Sequence, residues 1–353
     1  MPTQRPKGDK GKGRKPDAAG RPSPVTSYDV AHRAKVAQST VSRAFNADAS
    51  MASATRKRIL AVADKLGYRP NAIARSLVTR RSNLVAIIIS NLTNLFYPEV
   101  LAELSQRFSE RGVRVLLFTL PRESDIDLVL EQVWQYRVDG VVAAARLSSA
   151  QVTAFEQHQL PLLFFNRYLP DRPVNAVCCD QLKGARELVS RLHAAGHKRY
   201  AIVSGPGDSI VSQERVRGAV ACLKKLKLAA PLLVDGDYGY AGGVRALHQI
   251  MERSSVAPDA IICANDVTAI GCMDAARHDY GLRIPEKLSI VGFDGVDPSG
   301  WMSYRLTTLR QPVAQMAEAA VSMLMDRIED PSLVHEKRVF AGDILDRGSA
   351  RLG

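Results

Sequence analysis

From Thr26 to Leu66 the apolar positions fall in short stripes at helical spacing, whereas from Leu84 onward they gather into compact runs separated by amphipathic stretches. The first pattern predicts three helices. One spans 28–34, opened by Thr26 with Asp29 three residues on, a pairing of hydroxyl and carboxylate that satisfies the free N–H groups of a helix start. After a tight connection at Lys35 and Val36, a second runs from Gln38 to Phe45 and keeps Val41, Ala44 and Phe45 on one face. Ser53 is expected to cap a third, whose Ile59, Val62, Ala63 and Leu66 line one stripe and which Gly67 stops. Two short helices across a tight turn have the shape of a helix-turn-helix, and the third closes a small core. Beyond Pro70, Asn71 heads a fourth short helix over 72–78, ahead of the basic pair Arg80 and Arg81.

The second pattern differs in kind. Short runs at 84–90, 113–119, 140–145, 162–165, 176–179, 199–204, 232–234, 260–263 and 288–293 alternate with stretches that carry one apolar stripe. Strand and helix alternating in this way describe parallel sheets built from right-handed crossovers. So many strands exceed one ordinary sheet, and two lobes are expected. Ligands of such sheets sit beyond the carboxyl ends of the strands, which for two lobes is the cleft between them.

Composition separates the two regions further. Of the 353 residues 46% are apolar, enough for a sizeable core. Residues 1–81 hold 18 basic and 5 acidic side chains, a net +13, while the other 272 hold 30 and 31. A basic module joined to a near-neutral body points to a polyanion at one end and another task at the other. Residues 1–24, rich in Lys, Arg, Gly and Pro, bury too little surface to order themselves. They are expected to be a disordered basic arm, which either brushes DNA phosphates or only solubilises the chain.

No apolar run approaches the roughly twenty residues of a membrane-spanning helix, and the N-terminus lacks the apolar segment of a secretory signal. No membrane partner and a cytoplasmic location are expected. The five cysteines form no C-x-x-C pair and read as reduced, buried thiols. Gly205-Pro206-Gly207 lacks the Lys-Ser/Thr ending of a phosphate loop and the glycine spacing of a dinucleotide site. His193 and His197 stand four apart without a third ligand. No catalytic residue, metal or cofactor is expected.

The segments Val25-Thr26-Ser27-Tyr28-Asp29-Val30-Ala31, Thr40-Val41-Ser42-Arg43-Ala44-Phe45-Asn46 and Gly67-Tyr68-Arg69-Pro70-Asn71-Ala72-Ile73-Ala74-Arg75-Ser76-Leu77 closely resemble the DNA-binding head of the LacI/GalR family of bacterial regulators. Their order and spacing make the resemblance specific. It continues through Gly196-His197, Arg215 with Gly218, Ala264-Asn265-Asp266, Val291-Gly292-Phe293-Asp294 and Leu306-Thr307-Thr308-Leu309-Arg310-Gln311, and covers about residues 25–348. The implied fold is a small all-α helix-turn-helix head plus an α/β, two-lobed, periplasmic-binding-protein-like core of parallel sheets. The expected divisions are the arm 1–24, the head 25–70, a hinge helix and linker 71–81, and an effector-binding and dimerisation body 82–353. Within the body the N-lobe takes about 82–180 plus a C-terminal helix, and the C-lobe about 181–310. Where relatives usually carry Gly in the inter-helix turn and Ser at the cap of the second helix, this chain has Lys35 and Ala37. No leucine heptads come after the body, so a homodimer is expected.

In a helix-turn-helix the start of the second helix faces base edges in the major groove. The resemblance places Gln38 and Ser39 at the positions that set sequence preference, and Arg43 at a base-contacting arginine able to fork onto guanine. Tyr28, Thr40, Ser42 and Asn46 carry hydroxyl or amide groups suited to phosphates. Asn71 to Leu77 implies a hinge helix paired with its dimer mate in the minor groove, with Ala74 close to the groove and Leu77 wedged between base pairs. In the body the resemblance makes Arg215, Asp294 and Tyr238 the fork, acceptor and stacking ring of an effector pocket, with Phe96 a second aromatic wall. Asn166 and Asn265, at strand ends, face the same cleft; Asn265 and Asp294 serve equally as caps of the helix or turn after them, and Phe96 equally as core. The expected function is a DNA-binding regulator of repressor type, acting on a pseudo-palindromic double-stranded operator and controlled by a small-molecule effector, a sugar or sugar derivative. A transport-type sugar-binding protein is the alternative, which the two-lobed body alone would satisfy.

Overall fold

The computed structural model describes residues 25–46, 49–70, 81–90, 92, 94–120 and 125–353, and the chain divides into two units, Met1–Ser82 and Asn83–Gly353. In the first, α1 (Ser27–Ala34), α2 (Gln38–Ala44) and α3 (Ser53–Lys65) bury Val30, Ala34, Val41, Ala44, Ile59 and Ala63 against one another. Phe45 and Tyr68 close the core edge to face, ring centroids 5.7 Å apart. At the start of α1 the Asp29 carboxylate accepts from the Thr26 N–H at 2.8 Å and from the Thr26 hydroxyl at 2.7 Å. Lys35 ends α1 in the left-handed conformation, φ 52°, and its N–H turns back to the His32 carbonyl. That conformation is why glycine suits this position.

One local expectation is corrected. Ser53 lies inside the first turn of α3, and the capping position falls to Ala52, whose methyl group accepts no hydrogen bond. The fourth helix expected over 72–78, with Asn71, Ala74 and Leu77, falls outside the described residues.

Among the described residues, the second unit holds twelve strands in two six-stranded sheets. The N-lobe sheet contains β1 (Leu84–Ser90), β2 (Arg114–Leu120), β3 (Gly140–Ala144), β4 (Leu162–Phe165), β5 (Ala176–Cys179) and β11 (Lys337–Phe340), in the order β11-β5-β4-β3-β1-β2, all parallel. The C-lobe sheet contains β6 (Tyr200–Ser204), β7 (Leu232–Asp235), β8 (Ala260–Cys263), β9 (Ser289–Asp294), β10 (Thr307–Arg310) and the antiparallel edge β12 (Asp343–Leu345), in the order β12-β10-β9-β8-β6-β7. All nine expected runs are strands. The pattern missed β10, β11 and β12, which are short and mix charged or hydroxylated residues with apolar ones.

Helices α4 (Phe96–Glu110) and α11 (Val313–Glu329) cover one face of the N-lobe sheet. Helices α7 (Gln181–Ala194) and α8 (Ile210–Lys225) cover the matching face of the other, and all four share one continuous core across both lobes. The opposite faces carry α5 (Ile126–Gln135) and α6 (Ser149–Gln157) on the N-lobe, and α9 (Tyr240–Arg253) and α10 (Asp266–His278) on the C-lobe. The chain passes between the sheets after β5, β10 and β11. In each lobe the strand order reverses between the first strand and the third, β1/β3 and β6/β8, which opens a crevice at the carboxyl ends of the strands. No described helix is long and apolar enough to cross a membrane.

Candidate functional site

The head presents a polar face. Burial of Val41 and Ala44 turns Gln38, Ser39, Ser42 and Arg43 of α2 outward, with exposed Asn46 just beyond. Thr40 is half-buried and Tyr28 is 72% exposed. Gln38 Nε2 donates to the Ser27 hydroxyl at 3.2 Å, and Arg43 Nη2 to the Ser50 carbonyl at 2.7 Å. Both contacts leave further donors on these side chains.

The body's crevice has two parts. Its inner end is a narrow space of about 20 Å³ bordered by Phe96, Asn166, Arg215, Tyr238, Asp294 and Gln311. Arg215, on α8 and 4% exposed, donates through Nε to Gln181 at 2.7 Å, through Nη2 to Asp294 Oδ1 at 2.9 Å, and through Nη1 to the Ala264 carbonyl. Its guanidinium lies 4.5 Å from the Phe293 ring centroid. Gln311 Nε2 donates to the same Asp294 oxygen at 2.7 Å, and Gln311 Oε1 accepts from Asn166 Nδ2 at 2.6 Å. The network joins the lobes, because Asn166 comes directly after β4 and Asp294 ends β9. Asp294 Oδ2 meets no donor among the described residues, which leaves an acceptor for a ligand. Burial lifts the Asp294 carboxyl above the usual range, against the Arg215 charge that lowers it.

Beneath Asp294 lies Asp266, fully buried at the start of α10. Its Oδ2 accepts from the N–H groups of Gly295 at 2.8 Å and Val296 at 2.9 Å, and its Oδ1 from the Thr308 hydroxyl. Burial and the nearby Asp294 charge push its pKa up to about 8.

The outer part is larger, about 380 Å³, and lies between the lobes, with Arg146, Arg167 and Tyr168 on one side and Pro206, Ser209 and Tyr238 on the other. Two contacts span its mouth: Arg146 to Asp208 at 3.1 Å, and the Tyr168 hydroxyl to Glu214 at 2.6 Å. Arg167 Nη2 donates to the Tyr97 hydroxyl at 3.2 Å.

Five of the six body residues singled out from sequence therefore converge: Phe96, Asn166, Arg215, Tyr238 and Asp294. Asn265 borders neither space. It caps α10 by accepting from Thr268 N–H at 3.0 Å, and its Nδ2 holds the Tyr238 carbonyl at 3.0 Å. Sequence reasoning missed Gln181, Arg146, Arg167 and Glu214, and reached Gln311 only as the end of the 306–311 motif. Gln181 and Gln311 sit where the chain changes lobe, so only the strand order reveals them. His197 is 1% exposed, and its ring nitrogens bond the Leu192 carbonyl and the Ser289 hydroxyl.

Residues 26–71 match the model of bacterial regulatory proteins of the lacI family, and residues 189–350 match a periplasmic binding protein-like domain. The chain is 28% identical to the HTH-type transcriptional repressor CytR of Escherichia coli (strain K12), over 93% of this chain and 96% of that protein. It is 30% identical to the HTH-type transcriptional repressor PurR of Aliivibrio fischeri (strain MJ11), over 90% of this chain and 95% of that protein. Among solved structures, the lac repressor dimer bound to operator and the anti-inducer ONPF matches with a TM-score of 0.84 at 27% identity, over 93% of this chain and 99% of that one.

Proposed function

Since the chain belongs to the lacI family of bacterial regulatory proteins, we propose that it represses transcription as a homodimer on a pseudo-palindromic operator, under the control of a sugar or sugar derivative held between its lobes. It is a sequence-specific DNA-binding regulator with an effector-binding body, not a transport-type binding protein, because the match includes the head. It works in the cytoplasm and catalyses no reaction.

The observation that carries the DNA half of this reading is the outward face of α2 in a three-helix head. Gln38 and Ser39 set base preference, and Arg43 forks onto guanine O6 and N7. Tyr28, Thr40, Ser42 and Asn46 fix the register on phosphates. Asn71, Ala74 and Leu77 complete the contact set from the minor groove. For the effector half, Asp294 and Arg215 bind hydroxyls as acceptor and donor, Asn166 adds an amide, and Tyr238 and Phe96 supply the flat walls. Asn265 supports Tyr238.

The test is a gel shift with palindromic duplexes at fixed salt, run alongside thermal shift with sugars, sugar acids and purines. Arg43→Ala is expected to cost about 1–3 kcal/mol per half-site, twice over in a symmetric dimer, while thermal shifts by ligand stay unchanged. Equal operator affinity for parent and variant would exclude Arg43 from base reading.

A further inference from the structure

We infer that Asp266 is the positioning residue of the effector site: its buried carboxylate pins the turn that carries Asp294 and so sets the Arg215–Asp294 pair. The inference rests on the reading of Arg215 and Asp294 as effector-binding. Asp294 has φ 106°, a left-handed conformation costly for any residue but glycine, and Gly295 comes next at φ 75°. Such a backbone persists only when its surroundings hold it. Here the hold is the pair of N–H groups of Gly295 and Val296, both directed onto Asp266 Oδ2.

Three neighbours accommodate this grip. Thr308, on β10, donates to Asp266 Oδ1, which ties the turn to the adjacent strand. Gly292 leaves room, since a Cβ there would lie 2.3 Å from Asp266 Oδ1. Gly295 must also be glycine, because a Cβ would lie 2.6 Å from the Arg310 side chain. The division of labour works in either protonation state. A proton on Oδ1 turns toward Thr308 and leaves Oδ2 free to accept both amides. A single oxygen holding two amides is therefore the feature that matters, and it lies just behind a residue whose other face binds Arg215 and Gln311.

The experiment reads the free, full-length protein by amide and arginine Nη–H NMR, with no effector, so its failure is distinct from failure of the effector assignment. Asp266→Ala should shift the Gly295 and Val296 amides upfield and speed solvent exchange of the Arg215 Nη2 protons, which donate to Asp294, roughly tenfold, as expected when a hydrogen-bonded turn is released. Asp266→Asn keeps one carbonyl oxygen for both amides and should restore exchange to within about twofold of the parent. If Asp266→Ala does not fold, Gly292→Ala, which displaces the carboxylate without removing it, should give the same release. Unchanged Arg215 exchange in a folded Asp266→Ala or Gly292→Ala protein overturns the inference. So does Asp266→Asn behaving like Asp266→Ala.

Discussion

At the scale of single residues, the body's centre is an ion pair that water barely reaches: Arg215 and Asp294 are each 4% exposed. Burying two charges costs several kcal/mol per ion, and only good geometry with the leftover groups bonded offsets it. Gln181, Gln311 and the Ala264 carbonyl supply that shell except at Asp294 Oδ2. Removing one partner leaves the other charge buried and unmatched, so Arg215→Ala should lower the body's stability by about 3–5 kcal/mol, read as a drop in the urea midpoint. The pair between Arg338 and Glu336 lies in solvent, and Arg338→Ala should leave that midpoint unmoved. A midpoint for Arg215→Ala equal to the parent's would show that the pair contributes nothing net.

Among the elements of the head, α2 is the shortest described helix. Helix α2 has seven residues, too few to be stable alone, and its cap residue Ala37 offers no acceptor to the free N–H groups. Just before it Lys35 holds a left-handed φ of 52°. Ala37→Ser should add about 1 kcal/mol to helix stability, and Lys35→Gly should act in the same direction by relieving the turn. The measurement is amide hydrogen exchange across Gln38–Ala44 in the absence of DNA. Faster or equal exchange in Ala37→Ser would mean that tertiary packing, not the cap, limits this helix.

At the scale of the body, the lobes are joined at the mouth by contacts of unequal worth. Arg146–Asp208 has both side chains more than half exposed, and such pairs contribute about 0–1 kcal/mol. The Tyr168 hydroxyl is half-buried and donates to a carboxylate, a bond worth about 1.5–3 kcal/mol. Burial and the Glu214 carboxylate both lift the Tyr168 pKa, so the hydroxyl keeps its proton as donor at neutral pH. Lys337 stacks 3.2 Å from the same ring. Tyr168→Phe should thus open the cleft more than Asp208→Asn, seen as faster hydrogen exchange at Pro206–Val211 in the effector-free protein. The reverse ranking would shift the role of clasp to the salt bridge.

Features that depend on local period and residue type can be read from the chain alone. Helices α1 to α3 and nine strands were legible because a stripe at helical spacing or a run of Val, Ile and Leu specifies its element without knowledge of the rest. The polar face of α2 was legible for the same reason: once Val41 and Ala44 are inside, Gln38, Ser39 and Arg43 have to be outside. Phe96, Asn166, Arg215, Tyr238 and Asp294 were legible through resemblance, and their convergence awaited the fold. It took the packed fold to show that Asn265 caps a helix, that Gln181 and Gln311 bridge the lobes, and that Asp266 lies beneath Asp294. These roles rest on contacts between residues as far apart as Asn166 and Gln311. Such contacts arise from the order of strands in two sheets and from the three crossings between them, and neither leaves a period in the chain.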